Sequence, residues 1–259
     1  MPRANRFFLP GHAWHITHRC HKKEFLLKFA KDRDRWRNWL YESRKRYGLC
    51  VLDYIITSNH IHLLVLDQGK GEIAQSMQLI AGRTAQEYNR RKKRKGAFWE
   101  DRYHATAVEA DEHLARCMAY IDLNMVRAGV VGHPGDWQWS GYNEIQHPPK
   151  RYRIVDIAML CKLFGIGEPE KFRQRHRTWV ATKQMENANT RDAGWSTSIA
   201  VGSERYIEQV KKALGIMVKH RGSVDDGDKY LLREPECVYR AGFDTEKGAL
   251  SGLWSCYCD

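Results

Sequence analysis

The sequence predicts an α+β fold: a ferredoxin-like split-βαβ core with an antiparallel four-stranded sheet, followed by a mainly helical C-terminal extension. Three observations carry this. The first half of the chain reads as strands and amphipathic helices in the order β-α-β-β-α-β, with a further helix after the fourth strand. The Ser58-Asn59 pair between the second and third strands is a tight turn signal, so those strands form a hairpin. The 259 residues are 42% hydrophobic, enough to bury a core.

The elements follow in order. In "HAWHITHR" (12–19), Trp14, Ile16 and His18 alternate with Ala13, His15 and Thr17, the period of a strand. "KDRDRWRNWLYESRKRYG" spaces Trp36, Trp39, Leu40 and Tyr47 near a helical repeat, and Gly48 is a C-terminal stop. "LCVLDYIIT" (49–57) is a second strand. "HIHLLVL" (60–66) returns antiparallel to it, as a central strand of the sheet. Gly69 and Gly71 break the chain before an amphipathic helix over 72–91, in which Ile73, Met77, Ile80, Thr84 and Tyr88 recur at three or four. "HATAVE" (104–109) is a fourth strand. Asp111 caps a helix over 112–127, closed by Gly129.

Residues 1–131 therefore form the core. Residues 132–152, rich in Trp, Pro and Gly, are a connection. Residues 153–259 form the extension, for which DNA binding is one open role. Short helices are expected there over 156–164, 169–183 and 203–214. "ENANTRDAGWSTS" reads as a linker, and the last stretch of about 35 residues as irregular.

The formal charge of +12 favours a polyanionic partner, nucleic acid first and an anionic membrane surface second. No apolar run approaches the ~18 residues of a membrane span, and the N-terminus carries no apolar signal-peptide segment. The seven cysteines are odd in number and lack Cys-x-x-Cys spacing, which points to reduced thiols and a cytoplasmic protein; Cys256 and Cys258 are a weak metal pair.

The chemistry concentrates in two motifs. In "NHIHLLVL", alternation puts His60 and His62 on one face and Ile61 on the other, with the imidazoles roughly 6–7 Å apart, near enough to converge on one divalent cation. Twelve histidines make an accidental His-x-His easy, and the series His12, His15, His18, His21 is read as structural. In "DEHLARCMAYIDLNMVRAG", an apolar stripe of Leu114, Met118, Ile121 and Met125 opposes a polar stripe of His113, Arg116, Tyr120, Asn124 and Arg127. Taken alone, such a stripe is a solvated face. Tyr120 and Asn124, however, stand one turn apart. A cation held by two imidazoles and an amide oxygen keeps positions open for a phosphate oxygen, and a phenol beside it can attack phosphorus. A free phenol has a pKa of about 10, and a nearby cation favours its ionised form. The covalent product conserves the phosphodiester energy for rejoining. Among the tyrosines, Tyr120 alone combines a helix with an oxygen ligand one turn on.

The segments "NHIHLL", "FWEDRYHATAVE" and "YIDLNMVRAGVV" resemble the single-tyrosine HUH transposases, most closely the REP-associated tyrosine transposases of bacteria. The resemblance spans about residues 8–145; "WQWSGY" is similar to a segment following that core, and "GSERYIEQVKKALG" and "YLLREPE" are looser matches. It implies an HUH endonuclease core in which His60, His62 and Asn124 bind Mg²⁺ or Mn²⁺ and Tyr120 is the nucleophile. The implied activity is cleavage and transfer of single-stranded DNA beside hairpin-forming, REP-like palindromes, in a bacterial, nucleoid-associated setting, as a monomer or homodimer. The family motif carries proline where this chain has Met125, so the helix here is expected to run on to Gly129. DNA contacts are expected from Arg90, Arg91, Lys92, Lys93, Arg94 and Lys95, with Phe98, Trp99 and Arg102 beside them for stacking and Arg116 and Arg127 on the helix. Tyr103 is a packing residue or a further contact. Two other functions compete: a domesticated hairpin-DNA-binding protein without turnover, and a water-using metal-dependent phosphodiesterase.

Overall fold

The computed structural model describes residues 8–187, 192–218 and 221–233. Its core elements are β1 (Ala13–Arg19), α1 (Ala30–Tyr47), β2 (Cys50–Ile56), β3 (His60–Leu66), α2 (Glu72–Lys92), β4 (His104–Val108) and α3 (Glu112–Asp122). These are the predicted elements, each within a residue or two of the expected bounds except α3. In α1 the buried Trp36, Leu40 and Ser43 lie along one face. The helix ends on Gly48 at φ 71°, whose N–H reaches the Arg44 carbonyl at 2.9 Å, a left-handed stop that suits glycine. In α2, Ile73, Met77, Ile80 and Thr84 are buried, as their spacing predicts. The Glu72 carboxylate accepts from Gln68 N and Lys70 N ahead of the helix.

β3 lies between β2 and β1, and β4 flanks β1, all antiparallel. This is the ferredoxin-like strand order, with β3 central as expected. In the register, Thr17 is opposite His62 and Arg19 opposite His60. Directly paired residues share a face, so His15, Thr17, His60 and His62 stand on one side of the sheet and Trp14, Ile16 and His18 on the other. α2 covers the His18 side: His18 stacks on Trp99, Trp99 packs on Phe98, and Phe98 meets Tyr88 of α2. α1 packs against α2. The histidine face is covered by α3.

The chain continues through α4 (Asn124–Arg127), α5 (Gly141–Gln146), α6 (Ile157–Leu163), α7 (Pro169–Asn187), α8 (Gly194–Thr197), β5 (Ala200–Gly202), α9 (Glu204–Leu214), β6 (Gly222–Asp225) and β7 (Tyr230–Arg233). The region is mainly helical, as expected, and it also carries three short strands that the sequence reading did not foresee. β5, β7 and β6 extend the sheet beyond β4 to seven strands, β5 running parallel to β4. The physical reason is the edge of β4, whose Ala107 and Glu109 N–H groups donate to the Ile199 and Val201 carbonyls. Three- and four-residue strands carry too little periodicity to stand out in a sequence. The stretch read as irregular thus holds β7 up to Arg233; residues 234–259, with Cys237, Cys256 and Cys258, lie outside the described residues. Cys20, Cys50, Cys117 and Cys161 are buried free thiols. Among the described residues no helix is long and apolar enough to cross a membrane.

The single helix expected over 112–127 is also corrected. It breaks at Leu123, where ψ is 4°, and resumes as α4. The break comes without the proline whose absence suggested a continuous helix. Asp111 sits at the start with φ 62° and makes no side-chain cap. α3 is moreover buried on both flanks: Leu114, Met118 and Ile121 lie in the core, and Tyr120 is only 7% exposed. The polar stripe is not a solvated face.

Candidate nucleophile and cation site

β3 presents His60 and His62 from the middle of the sheet, with ring centroids 5.0 Å apart. α3 crosses that face and brings the Tyr120 ring to 5.7 Å from His62, edge-on. One turn later, past the break at Leu123, the Asn124 side-chain amide donates to His62 Nε2 at 3.1 Å. Two imidazoles, a phenol and a carboxamide thus share one site.

Each side chain is held from behind. His60 Nδ1 lies 2.7 Å from Asn59 Oδ1, an acceptor, and 2.9 Å from Thr57 Oγ1, whose hydroxyl also reaches the His60 carbonyl at 2.8 Å. A carboxamide oxygen only accepts, so Nδ1 carries the proton and the lone pair is on Nε2. His62 Nδ1 lies 2.8 Å from His15 Nε2, and the two rings stack at 5.0 Å. The Arg127 guanidinium donates to the Tyr120 carbonyl at 2.7 Å and covers the Tyr120 ring at 4.2 Å. Trp195 of α8 also lies near the phenol, with ring centroids 6.3 Å apart.

His15 is fully buried, and burial pushes its imidazole down to about 4, so it is neutral at pH 7. Its placement corrects the structural reading of the His12-to-His21 series. His15 belongs to the site, whereas His18 faces the other way and stacks on Trp99. Strand alternation put His15 and His18 on opposite sides; only the β1–β3 register shows which side carries His62. Trp195 was missed too, because "AGWSTS" reads as linker. The segment is a helical turn that buries Trp195 to 3% exposure.

The match to known families falls on this arrangement. Residues 10–124 match the family described as "Transposase IS200 like". Over this segment the chain is similar to IS200-like transposases. The match runs through His60, His62 and Tyr120 and ends at Asn124. Among solved structures, a REP-associated tyrosine transposase bound to a REP hairpin is 16% identical, aligned over 60% of this chain and 94% of its own, with a TM-score of 0.48. A protein from Deinococcus radiodurans R1, described as a candidate transposase, is 13% identical over 50% of this chain and 98% of its own, with a TM-score of 0.33. No curated protein matches the chain.

Among the described residues, no group of three or more His, Cys, Asp or Glu side chains is placed to hold a metal ion. The donor set at this site is instead two imidazoles and one carboxamide. The residues expected to contact DNA divide into two kinds. Arg90, Lys92, Lys93, Lys95 and Arg102 are exposed, and Lys92 also lies over the Phe29 ring at 5.1 Å. Arg91 pairs with the buried Asp32. Arg94 donates to the Ala97 carbonyl at 2.8 Å and reaches Glu24. Arg116 pairs with Glu112 and with Asp228. Phe98 is 2% exposed, Trp99 donates to the Ala81 carbonyl at 3.0 Å, and Tyr103 is buried. These side chains have packing or ion-pairing roles inside the molecule.

Proposed function

We propose that the protein is a metal-dependent single-stranded DNA endonuclease and strand transferase, a transposase that acts at hairpin-forming repeats through a 5′-phosphotyrosine intermediate. The observation that carries the reading is the convergence of Tyr120, His62 and Asn124 on one sheet face: a nucleophile, an imidazole and a carboxamide drawn from positions far apart in the chain.

The residues fit a divalent cation. His60 and His62 would supply Nε2 donors and Asn124 its carboxamide oxygen after rotation of the amide. This three-point set of borderline and hard donors leaves positions for phosphate oxygens and suits Mn²⁺, with Mg²⁺ the abundant alternative. When bound, the cation polarises the scissile phosphate.

The chain's own groups do the rest. Tyr120 Oη gives its proton to solvent and attacks phosphorus in line, the P–O3′ bond breaks, and the leaving oxygen takes a proton from solvent to become a free 3′-hydroxyl. The 5′ end stays on Tyr120 until another 3′-hydroxyl attacks and releases the phenol. Arg127 and Trp195 clamp the ring that attacks, and Leu114, Met118 and Ile121 seat its helix in the core. The exposed cations of 90–95, with Arg102, would track phosphates of the bound strand. The neighbour that carries a REP hairpin supports a hairpin as the partner. In this reading the protein works on nucleoid DNA in the bacterial cytoplasm, as a monomer or homodimer, and residues 153–259 add to the DNA surface.

The test is an incubation of labelled single-stranded hairpin DNA with Mn²⁺ or Mg²⁺, followed by denaturation. A covalent protein–DNA adduct lost in Tyr120→Phe is expected. Cleavage that survives Tyr120→Phe would replace this reading with the water-using phosphodiesterase, and retarded mobility without any cut would replace it with a binding protein.

A further inference from the structure

His15 lies outside the nucleophile–cation motif pair, yet it is fully buried beneath that site and both its ring nitrogens are engaged. Nδ1 is 2.7 Å from the Trp195 carbonyl, and Nε2 is 2.8 Å from His62 Nδ1. A carbonyl only accepts, so the proton of His15 is on Nδ1. Asn124 Nδ2 only donates, so His62 Nε2 accepts from it and the His62 proton is on Nδ1, which donates to His15 Nε2. That places the His62 lone pair on Nε2, the nitrogen facing Asn124 at 3.1 Å. One chain of hydrogen bonds therefore runs from the α8 backbone through His15 to the cation-facing atom of His62.

We infer that His15 is a positioning residue, anchored by the Trp195 carbonyl of the C-terminal extension, that fixes His62 as its Nδ1–H tautomer and aims Nε2 at the cation. The proposal rests on the cation site proposed above. It gives the extension a role that DNA contact does not cover: a backbone group 180 positions beyond His15 in the sequence sets the protonation pattern of a proposed ligand in the core. α8 is itself fixed. Asp192 accepts from the Gly194 N–H at 2.9 Å and pairs with Lys229 at 2.7 Å, and Lys229 lies over the Trp195 ring at 5.7 Å. A carbonyl anchored in this way holds a ring orientation better than a side chain in solvent. Outer partners of metal-bound histidines typically contribute about 10–100-fold to metal affinity.

The first measurement needs no mutation. Long-range ¹H–¹⁵N correlation of the metal-free protein at neutral pH should show His15 and His62 both as Nδ1–H tautomers; an Nε2–H tautomer at His62 overturns the relay. The second is Mn²⁺ titration followed by electron paramagnetic resonance. His15→Leu should weaken Mn²⁺ binding by about 10–100-fold. His15→Gln should recover part of it, because a carboxamide can donate to Trp195 and accept from His62. His62→Ala separates the two levels of the argument. Unchanged Mn²⁺ binding in that variant overturns the cation site and the relay together. Loss in His62→Ala with no loss in a folded His15→Leu protein overturns the relay alone. If His15→Leu does not fold, the wild-type tautomer decides.

Discussion

Asn124 Nδ2 lies 3.1 Å from His62 Nε2, joining a residue just past a helix break to the middle of the sheet. The contact occupies the nitrogen lone pair that a cation would take, so metal binding requires the Asn124 amide to turn its oxygen inward. Asn124→Ala should weaken Mn²⁺ binding at least about tenfold, on the scale of losing a supporting ligand contact. Asn124→Asp, which keeps an oxygen, should bind at least as tightly as wild type. Isothermal titration with Mn²⁺ checks both; equal affinity in the alanine variant would remove Asn124 from the donor set.

Arg127 holds Tyr120 twice, through its carbonyl and over its ring. Removing that clamp should misplace the proposed nucleophile without touching the proposed cation ligands. Arg127→Ala is expected to lower the rate of adduct formation by about 10²-fold, the usual scale for a misplaced reacting group, with Mn²⁺ affinity retained. An unchanged rate would show that α3 alone holds the phenol.

The basic run divides by partner. Arg90, Lys93 and Lys95 are exposed, whereas Arg91 is committed to Asp32. Replacing Arg90, Lys93 and Lys95 together by glutamine should flatten the salt dependence of single-strand binding by about 2 units of log–log slope, at about 0.7 per phosphate contact. Arg91→Gln should instead lower stability, because it strands a buried carboxylate. Fluorescence anisotropy over a salt series, beside a denaturant titration, distinguishes the two; a slope unchanged in the triple variant removes the loop from the DNA surface.

His176 of α7 lies 2.9 Å from Asp122 of α3, both fully buried. Burial pushes His176 down to about 4, against the opposing pull of Asp53. It raises Asp53 and Asp122 well above the usual carboxylate range. The pair is thus read as a neutral acid beside a neutral imidazole rather than an ion pair. Between about pH 6.5 and pH 4 the unfolded chain binds a proton at this histidine and the folded chain does not. The stability it contributes is therefore complete above that window and falls as pH drops through it. Asp53 and Asp122 act in the opposite direction, losing stability as pH rises. Comparison with His176→Gln isolates the imidazole: from about pH 7 to pH 4.5 the stability gap between wild type and variant should narrow by about 2–3 kcal/mol. Urea titrations at both pH values check this, and a constant gap would show that His176 titrates normally in the folded protein.

Much of the core was legible because its signals are local. Alternation in 13–19 and 60–66, helical spacing in 30–47 and 72–92, and the left-handed stop at Gly48 each depend on residues a few positions apart. The pairing of His60 with His62 and of Tyr120 with Asn124 was legible for the same reason. The burial of the polar stripe of α3 was not legible, because periodicity reports that a helix has two faces, not that both are covered. β5, β6 and β7 escaped because strands so short take their identity from the edge they join.

The sequence by itself determined the strand order that makes β3 central, the side of that strand on which both imidazoles stand, and the helix that carries Tyr120. The last two follow from backbone periods of two and 3.6 acting on neighbouring side chains, and the first from the split-βαβ order of the elements. Only the tertiary structure decided that His15, rather than His18, lies beneath His62, that the chain breaks at Leu123 ahead of Asn124, and that the Trp195 carbonyl reaches into the core. Those outcomes rest on register between strands and on contacts between segments far apart in the chain. Such contacts are selected by packing and hydrogen-bond satisfaction over the whole fold, and no local pattern encodes them.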